Sequence, residues 1–220
     1  MTVYHDELFE VAARDDPERL LPLIPAIDRI SEIRNRDGTT LLLHCLYCGA
    51  RRNIEQLVAQ FPDLSLHEAA ALGQQDQIEV LADRDPLCIN LLSGDGWTAL
   101  HLAAFFGHEA AVRTLLAQDA DPHLLSRSFE VNIPLQAACA AGALAAASLL
   151  VDATTAIDET GPGGTTALMS AAHAGMEEIV DALLEKGADP SRKNKEGKTA
   201  SDYAVEARHK AIALRLASKS

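Results

Sequence analysis

Apolar residues recur along the chain at the spacing of short amphipathic helices that come in pairs. In the segment 95–122 the apolar positions of two successive helical faces are Leu100, Ala103 and Ala104, then Val112, Leu115 and Leu116. Thr98 stands where an N-cap hydroxyl is wanted, and Gly107 stands where a chain leaving a helix adopts φ > 0. No helix continues through Pro122. The pattern therefore predicts a helix–turn–helix unit that begins at Thr98.

The same unit returns along the chain at a nearly constant interval. The segment 164–190 repeats the Thr-Ala-Leu, Ala-Ala, Leu-Leu and Ala-Asp-Pro of the segment 95–122. The glycines that follow the first helix are separated by 24, 34, 35 and 33 residues: Gly49, Gly73, Gly107, Gly142 and Gly175. Another step of 33 leads forward to Arg208 in a degenerate last unit, and a step of 33 back from Gly49 leads to Asp16 in a degenerate first unit.

A two-helix unit of this length cannot bury its own apolar face, so neighbouring units must stack. We expect one all-α domain over residues 1–220, with about seven stacked units, degenerate terminal caps and short β-hairpin-like loops. The expected units are approximately 5–34, 35–60, 61–92, 93–127, 128–160, 161–193 and 194–220. The short step between Gly49 and Gly73 predicts that the hairpin loop there is largely missing.

The run Thr-Ala-Leu-His-Leu-Ala-Ala, followed by Gly-His, Ala-Val-Arg-Thr-Leu-Leu and Asp-Ala-Asp-Pro, resembles the ankyrin repeat closely. The resemblance covers most of the chain and is strongest in the fourth and sixth units. It implies an ankyrin-repeat solenoid that works as a non-enzymatic protein–protein interaction module. The fifth unit departs from the family pattern, with Val-Asn-Ile-Pro at 131–134 in place of Gly-x-Thr-Pro.

Composition and charge narrow the range of partners. Hydrophobic residues make up 48% of the chain and aromatic residues 4%, and a core of Ala and Leu suits closely packed helices. The formal net charge of −13 repels a phosphate backbone and an anionic membrane face, so we expect neither nucleic acid nor membrane as a partner. For the one basic patch, a solvated loop is favoured over a docking site for an acidic partner: Arg192, Lys193, Lys195 and Lys198.

The N-terminal residues are acidic and lack the basic and apolar regions of a secretory signal. The weakly polar stretch 135–151 is too short and too small-sided to span a bilayer. The four cysteines do not form the dense framework of a small secreted domain. We therefore expect a cytoplasmic protein.

No set of nucleophile, base and orienting group stands out, so we expect no enzyme, no cofactor and no metal site. In the family resembled, His101 and His67 are structural, with rings that hydrogen-bond loop backbone. Cys45 and Cys48 have the spacing of a metal or redox pair, but no second pair accompanies them. Cys45 aligns with the inward Ala103 and is expected in the core, which leaves Cys48 as a potential reactive thiol.

The few aromatic residues indicate a binding surface. Trp97 is the only tryptophan, and Phe105 and Phe106 follow the inward positions of their helix toward a different face. In the family resembled, variable surface residues lie just before the Thr cap and at the end of the first helix. Carried over to this sequence, the predicted partner-binding residues are Trp97, Phe105, Phe106, Tyr47, Leu72, Phe129 and His173.

Five of these residues are expected to form one apolar strip: Tyr47, Leu72, Trp97, Phe105 and Phe106. The alternative is that Phe105 fills a gap between units and that Trp97 only covers a loop. Our preferred hypothesis is a monomeric module that holds a protein partner of unknown identity on its concave surface. Two further hypotheses stay open: a structural homo-oligomer through the same strip, and a remote one, a metal or redox switch at Cys45 and Cys48.

Overall fold

The computed structural model describes residues 3–25, 29–128 and 131–219. Within these ranges the regular structure is helical, apart from two isolated β-bridges, Arg34–Thr40 and Leu92–Thr98. The α-helices are α1 (Val3–Ala12), α2 (Pro17–Leu20), α3 (Leu41–Cys48), α4 (Arg51–Gln60), α5 (Leu66–Ala71), α6 (Gln75–Arg84), α7 (Ala99–Phe105), α8 (Glu109–Ala117), α9 (Pro134–Ala140), α10 (Leu144–Ala153), α11 (Ala167–Ala174), α12 (Glu177–Glu185), α13 (Ala200–Glu206) and α14 (Lys210–Ala217). Short 3-10 helices lie at Leu21–Leu23, Ile30–Glu32 and Pro86–Cys88.

Side-chain caps start the first helix of most pairs. Four threonine hydroxyls each accept a hydrogen bond from the backbone N–H three residues further on, and they belong to Thr40, Thr98, Thr166 and Thr199. Each hydroxyl thereby satisfies one of the N–H groups that a helix start leaves unpaired. The cap that the sequence predicts at Thr98 is confirmed.

Left-handed residues end the first helices and turn the chain back. Gly107 has φ of 75°, and Arg208, which the repeat places at the glycine position of the last unit, also has positive φ at 66°. In the first unit the left-handed residue is Asp15 (φ 54°), one position before the predicted Asp16. Asp16 instead caps α2, because its side chain accepts the N–H of Arg19. The register of the first unit was therefore predicted one residue too late.

The helices stack in two rows. In the first row α7 packs between α5 and α9, and α11 packs between α9 and α13; in the second row α8 packs between α6 and α10. One apolar cluster runs through this stack from Leu66 to Leu216, and a second holds the N-terminal helices between Leu8 and Leu64. Ala103, fully buried, is one of many small residues that let neighbouring helices approach closely. The predicted all-α solenoid is confirmed.

The connection between α4 and α5 is short, as the step between Gly49 and Gly73 predicts. Only residues 61–65 join the two helices, and neither β-bridge falls there. As a result the hairpins 34–40 and 92–98 touch one another. A Cβ atom on Gly38 or on Gly94 would collide with the carbonyl oxygen of the other glycine. The missing loop thus brings together two parts of the chain that an additional hairpin would otherwise separate.

Within the described ranges, no helix combines the length and the apolar character that crossing a membrane requires.

Candidate partner-binding surface

Four aromatic side chains lie together beside the hairpin 92–98. Tyr47 comes from the end of α3, Trp97 directly precedes the Thr98 cap, and Phe105 and Phe106 end α7. Ring centroids are 5.6 Å apart for Trp97 and Phe105, 5.3 Å for Phe105 and Phe106, and 5.8 Å for Tyr47 and Phe106. These separations lie in the favourable range for aromatic pairs. We refer to the four side chains as the aromatic surface.

The aromatic surface bridges a whole helix pair. Tyr47 lies in the last turn of α3 and Phe106 directly follows α7, whereas α5 lies between these helices in the stack. The two rings can meet because α5 ends in Ala71, whose side chain stops at Cβ. Beneath the rings lies a small buried cluster made of Leu43, Ala71 and Leu102. Trp97 and Phe106 pack against this cluster.

None of the four rings is sealed in the interior. Tyr47 is 40% exposed, and Trp97, Phe105 and Phe106 are partly buried. Filling a gap or covering a loop does not account for all of this surface, because each ring keeps an accessible part. The rings therefore stabilise the seam between units and also present apolar surface to solvent.

A carboxylate borders the aromatic surface. The Tyr47 hydroxyl donates a hydrogen bond to Oδ2 of Asp95 at 3.0 Å, and the Ser93 hydroxyl donates another to Oδ1. Burial, followed by the negative charge of Asp95, raises the pKa of Tyr47 well above its usual range. The phenol therefore stays neutral and holds the carboxylate at the edge of the rings.

Two of the other predicted contact residues, Leu72 and His173, do not join the aromatic surface. Leu72 is partly buried and packs with the N-terminal apolar cluster, because one residue beyond Ala71 turns the side chain about 100° around the helix axis. The expected strip is therefore interrupted at Leu72. His173 is exposed at the end of α11, where its ring lies 5.9 Å from that of Tyr203. Phe129 lies outside the described residues, so its contact role stays a prediction.

His173 and Tyr203 border a separate groove of about 540 Å³ between α9, α11 and α13. Its lining also includes Gln136, Ala140, Pro162, Gly163 and Ser170. No such groove was predicted, because its walls come from three units and from the loop 161–165.

The histidines of the repeat pattern are structural, as predicted. Nε2 of His101 donates to the carbonyl of Asn132 at 2.9 Å, which leaves Nδ1 to accept from the Thr98 hydroxyl at 2.7 Å. Burial lowers the pKa of His101 to about 4. His67 contacts the carbonyl of Leu91 at 2.9 Å in the same way, and burial lowers its pKa too. Both rings are neutral links between a helix and the following loop.

The cysteines divide as the alignment predicts. Cys45 is buried, and its burial raises its pKa to about 12, whereas Cys48 is exposed with Sγ 3.7 Å from Nε2 of His44. The two thiols thus occupy opposite environments on α3. In the described part of the chain, no group of three or more His, Cys, Asp or Glu side chains is placed to hold a metal ion.

Sequence reasoning missed one set of polar side chains that connects two loops. Nδ1 of His123 lies 2.9 Å from Oε2 of Glu159, and its Nε2 lies 3.2 Å from the hydroxyl of Thr155. A second link is Gln136, which aligns with His101 and donates to the carbonyl of Thr165 at 2.6 Å. The alignment carried the signal for Gln136, but no local signal paired His123 with residues more than thirty positions away.

Comparison with known proteins agrees with the repeats. The family model for ankyrin repeats (three copies) matches residues 36–126 and 135–220. The chain is 36% identical over 151 residues to a transient receptor potential cation channel subfamily A member 1 homolog of Caenorhabditis elegans, which covers 69% of the chain and 12% of that protein. It is 33% identical over 159 residues to the human neurogenic locus notch homolog protein 4, covering 72% and 7%.

A third relative is the mouse ankyrin repeat and SAM domain-containing protein 6, which is 32% identical over 137 residues, covering 62% of the chain and 12% of that protein. The chain thus spans only a small part of the length of these curated relatives. Apart from Pro134, the first residue of α9, the ranges matched by the family model contain the helix pairs from α3 and α4 to α13 and α14. The chain therefore belongs to the ankyrin repeat family.

Proposed function

We propose that the aromatic surface is the main contact of this protein with a partner polypeptide, held on the concave side of the stack. Ankyrin repeats generally mediate protein–protein interaction and are typically not enzymes. The observation that supports this contact is the group of four touching rings that the fold leaves partly exposed. Trp and Tyr are also the residue types that dominate binding energy at interfaces.

The border of the aromatic surface indicates the chemistry of the partner. Asp95 is fixed beside Tyr47, and the chain carries a net charge of −13. A partner segment with an apolar anchor and Lys or Arg at its rim complements both features. The electrostatic part of this match acts mainly on the rate of association, whereas burial of the rings supplies most of the affinity.

The test compares capture of partners from an extract of the native host by the wild-type protein and by the double variant Trp97→Ala/Phe106→Ala. We expect binding to weaken by several kcal/mol, because truncating a central aromatic contact costs about 2 kcal/mol or more. A matched control is Val80→Ala/Leu87→Ala, which removes apolar side chains that are 56% and 83% exposed elsewhere on the surface. Undiminished capture by the Trp97/Phe106 variant would reject this site.

A second variant separates binding from folding, because Trp97 and Phe106 also pack on the buried cluster beneath them. Asp95→Asn keeps an oxygen that can accept the Tyr47 hydroxyl but removes the charge. We expect unchanged helix content by circular dichroism and slower association with the captured partner. An unchanged association rate would argue against a basic rim on that partner.

The homo-oligomer remains the second candidate, since the same exposed rings could face a second copy. Light scattering at several concentrations distinguishes the two. A monomer throughout the micromolar range supports a foreign partner, and a dimer that the double variant abolishes supports self-association. We further propose a cytoplasmic location, which is supported by four unpaired cysteines, as expected in a reducing compartment: Cys45, Cys48, Cys88 and Cys139.

A further inference from the structure

Basic residues are concentrated at one end of this acidic chain. Residues 191–220 contain only three of the 32 acidic residues. The same segment contains eight of the 19 basic residues: Arg192, Lys193, Lys195, Lys198, Arg208, Lys210, Arg215 and Lys219. The formal charge of this segment is therefore positive, opposite in sign to that of the chain as a whole.

The loop 190–198 carries four of these cations to the edge of the groove between α9, α11 and α13. The backbone N–H of Lys195 donates to the carbonyl of Gly163 at 3.1 Å, and Nδ2 of Asn194 donates to the Tyr203 hydroxyl at 2.9 Å. Gly163 and Tyr203 both line the groove. Nζ of Lys198 lies 5.8 Å from the centre of the Tyr203 ring. The basic loop is thus held directly against the groove wall.

The loop retains positive charge that the fold does not neutralise. Lys198 is paired with Glu206 at 2.9 Å and with Glu196 at 3.4 Å. Lys193 and Lys195 are exposed, and neither forms an ion pair among the described residues. The carboxylate of Asp202 interacts electrostatically with Lys193, but it already accepts a hydrogen bond from the backbone N–H of Thr199 at the N-terminus of α13. Two cations are therefore available to a ligand at the rim.

The groove itself has the lining of a site for a peptide segment. Its volume of about 540 Å³ lies within the range of ligand sites. Ala140 and Pro162 give it an apolar part, while Ser170 and the imidazole of His173 offer hydrogen-bonding groups. Such a mixture suits a polypeptide chain better than a purely ionic ligand, because an extended peptide carries backbone hydrogen-bonding groups and points its side chains alternately to two faces.

We propose that this groove and its basic loop form a second binding site, which takes an extended, acidic segment of a partner polypeptide. Carboxylates of the segment meet Lys193 and Lys195, and its small apolar side chains enter the groove beside Ala140. The charge of such a segment complements the cations at the rim of the groove. A nucleic acid is a poorer occupant, because its longer run of phosphates would meet the acidic remainder of the chain. The site is independent of the aromatic surface.

The test measures fluorescence polarisation of a labelled peptide in which Glu alternates with Val. We expect it to bind the wild-type protein, and the same peptide with Gln in place of Glu to bind at least about tenfold more weakly. Lys193→Glu/Lys195→Glu should weaken binding of the Glu–Val peptide by a similar factor. Arg51→Glu/Arg52→Glu, which makes the same charge change on exposed positions of α4, should leave binding nearly unchanged.

Ala140→Trp tests the groove without touching the charges, since Ala140 is exposed and a large ring there would occupy the space. We expect it to abolish peptide binding while Trp97→Ala/Phe106→Ala does not affect it. Absence of binding to the wild type would overturn the proposal, as would equal losses in the two charge-reversal variants or tighter binding of oligothymidine than of the Glu–Val peptide.

Discussion

The imidazole of His101 shows how one residue type connects sequence, burial and stability. Its ring joins the Thr98 cap to the carbonyl of Asn132 in the next loop. The bond from Thr98 needs the neutral ring, because a protonated Nδ1 could no longer accept the Thr98 proton. Burial acts in the same direction and lowers the pKa of His101 to about 4. In the unfolded chain the histidine has an ordinary pKa near 6.5, so in mild acid it binds a proton that His101 does not bind in the folded protein.

This difference predicts a loss of stability in mild acid. The neutral His101 stabilises the folded protein fully above about pH 6.5. This stabilisation, on the order of 2–3 kcal/mol in the free energy of unfolding, is lost as the pH falls from there toward 4. In His101→Gln the amide can still donate to the Asn132 carbonyl, as Gln136 donates to the carbonyl of Thr165 from the equivalent position. We expect urea unfolding at pH 7 and at about pH 5 to show that the free energy of unfolding falls less between these pH values in the variant than in the wild type. Equal losses in both proteins would contradict the prediction.

At the scale of elements, the absence of a hairpin between α4 and α5 brings the residues of the aromatic surface together. Because only residues 61–65 join α4 to α5, the hairpins 34–40 and 92–98 close on each other. The contact needs glycine on both sides, since a Cβ on Gly94 would meet the carbonyl of Gly38. The same closure lets Tyr47 reach Asp95 and Phe106, both of which belong to a unit two steps along the stack.

Gly94→Ala should therefore separate the hairpins and disturb the aromatic surface. We expect a loss of about 1–3 kcal/mol in the free energy of unfolding, as for other overpacked contacts. The fluorescence of Trp97, the only tryptophan, should shift as its surroundings open. Gly163→Ala is the matched control, because the nearest atom to its added Cβ is 3.9 Å away. If both variants behaved alike, the close hairpin contact would not matter for stability.

At the scale of the whole molecule, stability depends on seams between neighbouring helix pairs. Each first helix packs mainly on those before and after it, as α9 does between α7 and α11. Fully buried alanines such as Ala138 set the distance between these helices. In such a nearly one-dimensional stack, a damaged seam weakens the cooperation between its two sides.

Ala138→Leu should test that cooperation. We expect this substitution to lower the free energy of unfolding by about 1–3 kcal/mol. We also expect the unfolding transition seen by Trp97 fluorescence to separate from the one seen by circular dichroism. Trp97 reports on the N-terminal side of the seam, whereas circular dichroism reports on all helices. Ala140→Leu places the same side chain on an exposed position of the same helix and should leave the two transitions coincident. Coincident transitions in Ala138→Leu would show that the helix pairs on both sides of this interface still unfold cooperatively.

The sequence by itself determined the features that depend on short spacings. The Thr98 cap and the left-handed Gly107 follow from positions within one unit. Such features are local, because a cap or a turn involves residues three or four positions apart. The repeat interval and the alignment of units gave the left-handed Arg208 and the buried Cys45, and the resemblance to the family implied the structural His101. The regular repetition of the unit then implied stacking, and with it the all-α solenoid.

Only the tertiary structure decided which side chains meet across units. Leu72 turns away from the rings and packs toward the N-terminal cluster, and His173 belongs to a different groove with Tyr203. His123 meets Glu159 through loops that no periodic pattern relates. These contacts depend on helix rotation and loop closure over separations of about thirty residues or more. A sequence pattern records which face a residue occupies within its helix, but the neighbour opposite that face is set by how the units stack.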